Sequence, residues 1–153
     1  MGNKVNSVNP HLPTDLTSAI INGDSCDKGG TVKVLLVEDN YYTRDIVIRR
    51  LKRQGHQVVT SVDGLRCLEL AHAEQPDVIL LDMRLPVISG VEIAKQLKAD
   101  PDLGRIPIIA MTAYGLEESR DAFMEVGCEE FESKPLDFGR LLEKMHALVE
   151  HHT

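Results

Sequence analysis

Positive charge is in short supply in this chain: 17 lysines and arginines stand against 24 acidic residues, for a formal net charge of −7. Binding along a nucleic-acid backbone needs a basic face that releases counterions, so that class of partner is excluded. Cysteine is scarcer still. Cys26, Cys67 and Cys128 are odd in number, widely spaced and free of any C-x-x-C pattern, which argues against a disulfide framework or a zinc site and reads as reduced thiols. No apolar run reaches the length of a membrane span, and the first residues lack the charged-then-apolar layout of a signal peptide. A cytoplasmic protein without membrane attachment is expected. The six histidines are scattered. His151-His152 reads as a frayed helix end rather than a metal site, and no histidine is placed as a phosphotransfer donor.

What is present fits one folded unit. A chain of 153 residues, 42% apolar and 27% charged, accommodates one α/β domain of ordinary size with a short extension. Residues 1–30, rich in Asn, Ser, Gly and Asp and ending at Gly29-Gly30, have the makeup of a flexible extension, and residues 31–153 form the domain. Within the extension, Thr14-Asp15-Leu16-Thr17-Ser18-Ala19-Ile20-Ile21-Asn22-Gly23 offers an N-cap candidate, apolar positions near helical spacing and a closing glycine. It predicts a short docking helix that pays a nucleation cost in isolation.

From Val32 onward, strand-like runs alternate with helical patterns in the βαβ rhythm of a parallel sheet covered on both faces. The runs are Val32–Val37, His56–Ser61, Val78–Asp82, Ile106–Met111 and one around Phe131. Helices are expected over Tyr41–Gln54, up to about Glu74, from Gly90 to before Pro101, over Leu116–Val126 and from Asp137 onward. The last repeats Leu141, Leu142, Met145, Leu148 and Val149 in an amphipathic pattern.

The run Val78-Ile79-Leu80-Leu81 closes on a lone carboxylate, Asp82, and passes at once into the turn-like stretch Met83–Gly90. An uninterrupted series of branched aliphatics reads as a central strand buried on both faces. In open α/β sheets the reactive groups collect beyond the carboxyl ends of the strands. The first strand runs into Glu38-Asp39-Asn40, so three carboxylates converge on one small site. They cannot all stay ionised without help. With only oxygen ligands on offer, a hard divalent cation such as Mg²⁺ is the fitting counter-charge, with Glu38 and Asp39 as the metal-holding pair. Thr112 ends the fourth run, and Lys134 follows the fifth in Phe131-Glu132-Ser133-Lys134-Pro135. A hydroxyl donor, an ammonium and a metal around a carboxylate nucleophile suit a phosphoryl group, whose transfer to Asp82 gives an acyl phosphate.

The order Glu38-Asp39, Asp82, Thr112, Lys134-Pro135 resembles the receiver domain of two-component response regulators, the CheY-like family, over about Thr31 to His151. Leu97-Lys98-Ala99-Asp100-Pro101 and Gly127-Cys128 make it similar to the stand-alone, DivK-like type. The resemblance implies an α/β, flavodoxin-like (βα)5 doubly wound parallel sheet with strand order 2-1-3-4-5, an order that right-handed crossovers also favour. It implies that Asp82 takes a phosphoryl group from a histidine kinase or a histidine phosphotransfer protein. Mg²⁺ is then held by Glu38, Asp39, Asp82 and the backbone carbonyl of Arg84. Thr112, Ala113 and Lys134 engage the phosphate, Phe131 stands at the aromatic switch position, and the Lys134-Pro135 bond is cis. Arg84 and Tyr114 occupy positions where family members vary and where access of hydrolytic water is affected.

Three readings stay open. The first is a receiver that signals through a downstream protein target, as a monomer or a weak phosphorylation-dependent dimer, since little chain follows the fifth helix. The second is a phosphorelay intermediate that passes the group onward. The third is an aspartyl-phosphate phosphatase of the haloacid dehalogenase type, against which Arg84 counts, because that chemistry wants an acid two residues after the nucleophile. Arg44, Arg49, Arg50, Lys52 and Arg53 on the first helix are either a solvated face or a basic surface that steers an acidic partner.

Overall fold

The computed structural model describes residues 30–113 and 117–151. The helix expected over 14–23, together with Cys26 and Tyr114, lies outside the described residues. The elements in chain order are β1 (Lys33–Val37), α1 (Tyr41–Arg53), β2 (Gln57–Ser61), α2 (Cys67–Glu74), β3 (Val78–Asp82), α3 (Gly90–Ala99), β4 (Ile108–Thr112), α4 (Glu117–Glu125), β5 (Glu130–Ser133) and α5 (Phe138–His151). All four strand pairings are parallel and the order is β2-β1-β3-β4-β5. This is the expected flavodoxin-like arrangement.

Alternation along the strands divides the core in two. Leu35, Val37, Ile79, Leu81 and Ala110 point to the face where α2, α3 and α4 contribute Ala71, Ile93, Leu97 and Phe123. Val34, Leu36, Leu80, Ile109 and Met111 point to the opposite face, against Val47 and Leu51 of α1 and Leu141 and Met145 of α5. With both faces covered, every residue of β3 and β4 is buried, Asp82 and Thr112 included. The apolar runs were legible because of this double burial. β4 begins two residues later than its run suggests. Pro107 has no N–H for the ladder, although its carbonyl accepts from the Ile79 amide at 3.0 Å.

The helix ends follow local chemistry. Asn40 caps α1 by accepting from the Thr43 amide at 2.9 Å, and Arg50, Lys52 and Arg53 fill the last turn, where the helix dipole favours cations. Gly55 then turns the chain with φ +91°, a conformation open to glycine at little cost. Ser89 caps α3 by accepting from Glu92 N at 3.3 Å.

Gly90 opens α3 hard against the end of β3. A Cβ there would lie 2.5 Å from both the Asp82 carbonyl oxygen and Met83 Cα. Gly90→Ala should therefore lower the unfolding free energy by about 1–3 kcal/mol in urea titrations. Gly139→Ala, whose Cβ meets nothing nearer than Asp137 Oδ1 at 3.5 Å, should be neutral or gain up to about 1 kcal/mol from helix propensity. Equal effects of the two substitutions would contradict this packing.

Candidate functional site

The carboxyl ends of β1, β3, β4 and β5 meet at one crevice. β1 and β3 are neighbours in register through Val37 and Leu81, so the residues that follow them, Glu38 and Asp82, arrive side by side. Glu38 is fully buried and Asp82 is 3% exposed, whereas Asp39 faces solvent. One carboxylate oxygen from each of the three lies within 4.8 Å of the others. The Arg84 amide donates to Asp82 Oδ1 at 3.0 Å, which fixes the carboxylate over the start of the loop. The Asn40 amide does the same for Glu38 Oε2 at 3.1 Å.

Lys134 supplies the positive charge. Its Nζ donates to Glu38 Oε1 at 2.8 Å and lies 3.5 Å from Asp82 Oδ2. Its amide donates to the Thr112 carbonyl at 2.7 Å, tying the β5–α5 turn to the end of β4, and the Lys134-Pro135 bond is cis as expected. Thr112 is 4% exposed and Ala113 beside it is exposed. Glu38, Asp39, Asp82, Thr112 and Lys134 thus come to the crevice or its rim. Phe131 lies further along β5, half-buried against the α3–α4 side of the core.

Burial pushes the Glu38 pKa up. The Lys134 hydrogen bond pulls it back, and the Asp82 charge pushes it up again. Three carboxylates with one ammonium between them leave the crevice short of positive charge. The donor set is all oxygen, partly exposed at Asp39, and fits a hard cation that keeps some of its waters.

Several contacts were not foreseen from the sequence. Arg44 donates from NH1 to the carbonyls of Glu38 at 3.0 Å and Asp39 at 3.3 Å, which holds the turn that carries both acids. Arg49 pairs with Asp45 at 2.9 Å, and Arg50 lies 4.6 Å from the centre of the Phe138 ring. The basic face of α1 is therefore partly spoken for by local partners. Phe131 sits between two cations, Arg120 of α4 at 5.0 Å and Lys144 of α5 at 5.5 Å from its ring centre. Lys144 also donates to the Phe131 carbonyl at 2.7 Å and pairs with buried Glu132 at 2.7 Å, which Arg140 engages as well. Arg140 and Lys144 are one helical turn apart, and that spacing opposite an acidic strand was the available signal.

The loop after Asp82 is strained. The Ile88 amide donates to the Pro86 carbonyl at 2.7 Å, closing a three-residue turn around Val87 at φ +71°. A β-branched residue in this region costs about 1–3 kcal/mol, and such strain gathers at functional sites.

Comparison with known proteins agrees with this geometry. The family model for the response regulator receiver domain matches residues 34–146. The polar-differentiation response regulator DivK of Brucella ovis is 36% identical over 119 residues, which are 78% of this chain and 97% of that protein. The receiver domain of a sensor histidine kinase from Pseudomonas aeruginosa, solved with a magnesium ion coordinated in its active-site cleft, superposes with a TM-score of 0.73. It is 29% identical, over 79% of this chain and 99% of that one. The chemotaxis response regulator CheY4 of Vibrio cholerae gives 0.72 at 29% identity, over 77% and 98%.

The raised pKa of Glu38 has a defined sign. The folded chain holds this proton more tightly than the unfolded chain, so its contribution to stability is complete below the ordinary value of 4.5 and is lost as pH rises through the raised folded value. In buffer with metal chelated, Glu38→Gln removes that loss. Its unfolding free energy relative to the parent should climb as pH goes from 4.5 to neutral, measured by urea unfolding. A flat difference would mean that Glu38 is not held up by burial.

Proposed function

Because the chain belongs to the response regulator receiver domain family, we propose that it accepts a phosphoryl group on Asp82 from a phosphohistidine of a histidine kinase or phosphotransfer protein. The carboxylate group that carries this reading is buried, held by the Arg84 amide and faced by the Lys134 ammonium. In the transfer, an Asp82 oxygen forms a bond to phosphorus and the P–N bond breaks. The electron pair stays on the imidazole, and the product is an acyl phosphate.

The roles divide by position. Glu38, Asp39, Asp82 and the Arg84 carbonyl are the groups that would hold Mg²⁺, with Glu38 acting through water. An ion held there would supply positive charge to the transferring oxygens. Lys134 releases part of its hold on Glu38 and pairs with a phosphoryl oxygen. Thr112 donates its hydroxyl to another, with Ala113 lining the same wall. These groups belong to the chain itself, so small phosphoryl donors should also serve as substrates. The protein is a switch and not an enzyme acting on other molecules.

Output runs through protein contacts. Movement of Thr112 toward Asp82 lets Phe131 turn inward, which changes its seat between Arg120 and Lys144 and remodels the face of α4, β5 and α5. Residues 31–153 form this receiver, residues 1–30 an extension, and the setting is the cytoplasm. The partner read by the remodelled face is a downstream protein target, with the receiver a monomer or a weak phosphorylation-dependent dimer. Relay of the group to a further histidine uses the same residues.

Incubation with acetyl phosphate and Mg²⁺ should give an acid-stable, base-labile adduct that Asp82→Asn loses. Equal labelling of that variant would remove Asp82 as the acceptor. Transfer from a panel of purified histidine kinases would then identify the donor.

The coupling from Thr112 to Phe131 has its own check. A non-hydrolysable phosphate mimic should shift the NMR signals of Phe131, Arg120 and Lys144 in the parent, and these shifts should shrink in Thr112→Ala while the signals next to Asp82 still respond. Identical shifts in both proteins would show that the threonine does not carry the change.

A further inference from the structure

At the amino ends of the strands, the end of the sheet opposite the crevice, two histidines meet. His56 stands just before β2 and is 6% exposed, and His146 comes half-buried from the later half of α5. Their Nε2 atoms lie 3.4 Å apart, and the rings cross edge to face with centres 5.3 Å apart. The Val32 amide donates to His56 Nδ1 at 3.1 Å, and the His56 amide donates to the Leu51 carbonyl of α1 at 3.0 Å. One imidazole thus joins the entry to β1, the end of α1, the entry to β2 and α5.

These partners fix where the protons sit. An imidazole nitrogen that accepts from an amide carries no proton, so neutral His56 keeps its proton on Nε2 and aims it at His146. His146 Nε2 is then the acceptor, with its own proton on Nδ1. Neither ring can take a further proton in place. On His56 it would go to Nδ1, against the Val32 N–H, and on His146 to Nε2, against the His56 N–H. A metal ion would need both Nε2 lone pairs, which this tautomer does not offer. We propose that the pair is a proton-released latch: it seats the later half of α5 on the sheet while both rings are neutral and frees it when solvent protonates them. His146, the more exposed ring, takes the first proton at Nε2. The two facing donors then part, and water reaches His56.

Burial, with the neighbouring His146 adding to it, holds the His56 pKa below its ordinary 6.5. The stability this contributes is complete above 6.5 and is lost as pH falls toward the lowered folded value. Among the described residues no acid is a partner of His56. The charged groups on the elements around it are Lys52 and Arg53 in the last turn of α1, Lys33 of β1, which pairs with Glu74, and Glu143 and Glu150 one turn either side of His146. Because α5 borders the proposed output face, acid would loosen that face without phosphorylation. The latch itself does not rest on the phosphoryl chemistry.

Long-range proton–nitrogen NMR spectra of the imidazoles in the full-length chain test this. At neutral pH, His56 should show a bare Nδ1 and a protonated Nε2, and His146 the reverse. Between pH 7 and pH 5, amide hydrogen exchange, corrected for its intrinsic rate, reads the opening of α5. The opening constant over Met145–Val149 should rise about tenfold per pH unit for each ring that takes up a proton. In the double variant His56→Asn, His146→Gln, side-chain oxygens stand in for the two accepting nitrogens and take no proton, so the rise should vanish. An equal rise in that variant overturns the proposal. So does a His56 in the parent that carries its proton on Nδ1 or titrates at the ordinary histidine value, a result read whatever the stability of the variant.

Discussion

The Lys134 ammonium stands between two buried carboxylates, 2.8 Å from Glu38 and 3.5 Å from Asp82, and the crevice depends on that one charge. Two acids brought together in a dry place repel each other and each loses hydration. Without a cation the fold would have to separate them or protonate one. The same lysine holds the β5–α5 turn to β4 through its amide. Charge balance and chain path are therefore set by a single residue. A ligand that brings new negative charge to Asp82 competes with Glu38 for this ammonium, so binding at the crevice is felt at the end of β1 and at the start of α5 together.

Topology explains why distant residues can share such a small space. Parallel pairing puts every strand's carboxyl end on one side, and the order β2-β1-β3-β4-β5 makes β1 and β3 neighbours although α1, β2 and α2 intervene in sequence. Each right-handed crossover returns the chain to the same starting side. The helices then take up the strain of positioning. α3 begins on a glycine pressed against the Asp82 backbone, and the loop between them closes on Val87 in a left-handed turn. Arg44 reaches back from α1 to the carbonyls of the acidic pair. Rigid strands and a taut loop hold the carboxylate in place before any ligand arrives, which is the preorganisation that electrostatic catalysis needs.

What the sequence reveals tracks how strongly burial constrains it. β3 and β4 are covered on both faces, and only aliphatics satisfy that condition, so their runs and the polar residues that end them stand out. The charged residues were harder to read. Arg44, Arg120, Lys144 and Glu132 look like ordinary surface charges in the sequence, because their roles depend on long side chains reaching across helix and strand, and only the one-turn spacing of Arg140 and Lys144 hints at that reach. The start of β4 was misplaced for a related reason. Ile106 and Pro107 are as apolar as the strand itself, and only the missing proline N–H tells where the ladder begins.

The outer strand β5 carries one more consequence, for how another strand could meet this sheet. β5 is only four residues long and has β4 on one side. Its acids Glu130 and Glu132 are drawn to Lys144 and Arg140 of α5, which lie along the strand and also engage the Phe131 carbonyl. A strand from another molecule adding to this edge would set carboxylate against carboxylate and would have to unseat those cations. Short, charged edges of this kind resist edge-to-edge growth. The β5 edge of the sheet is thus poorly suited to extension by a strand from another copy.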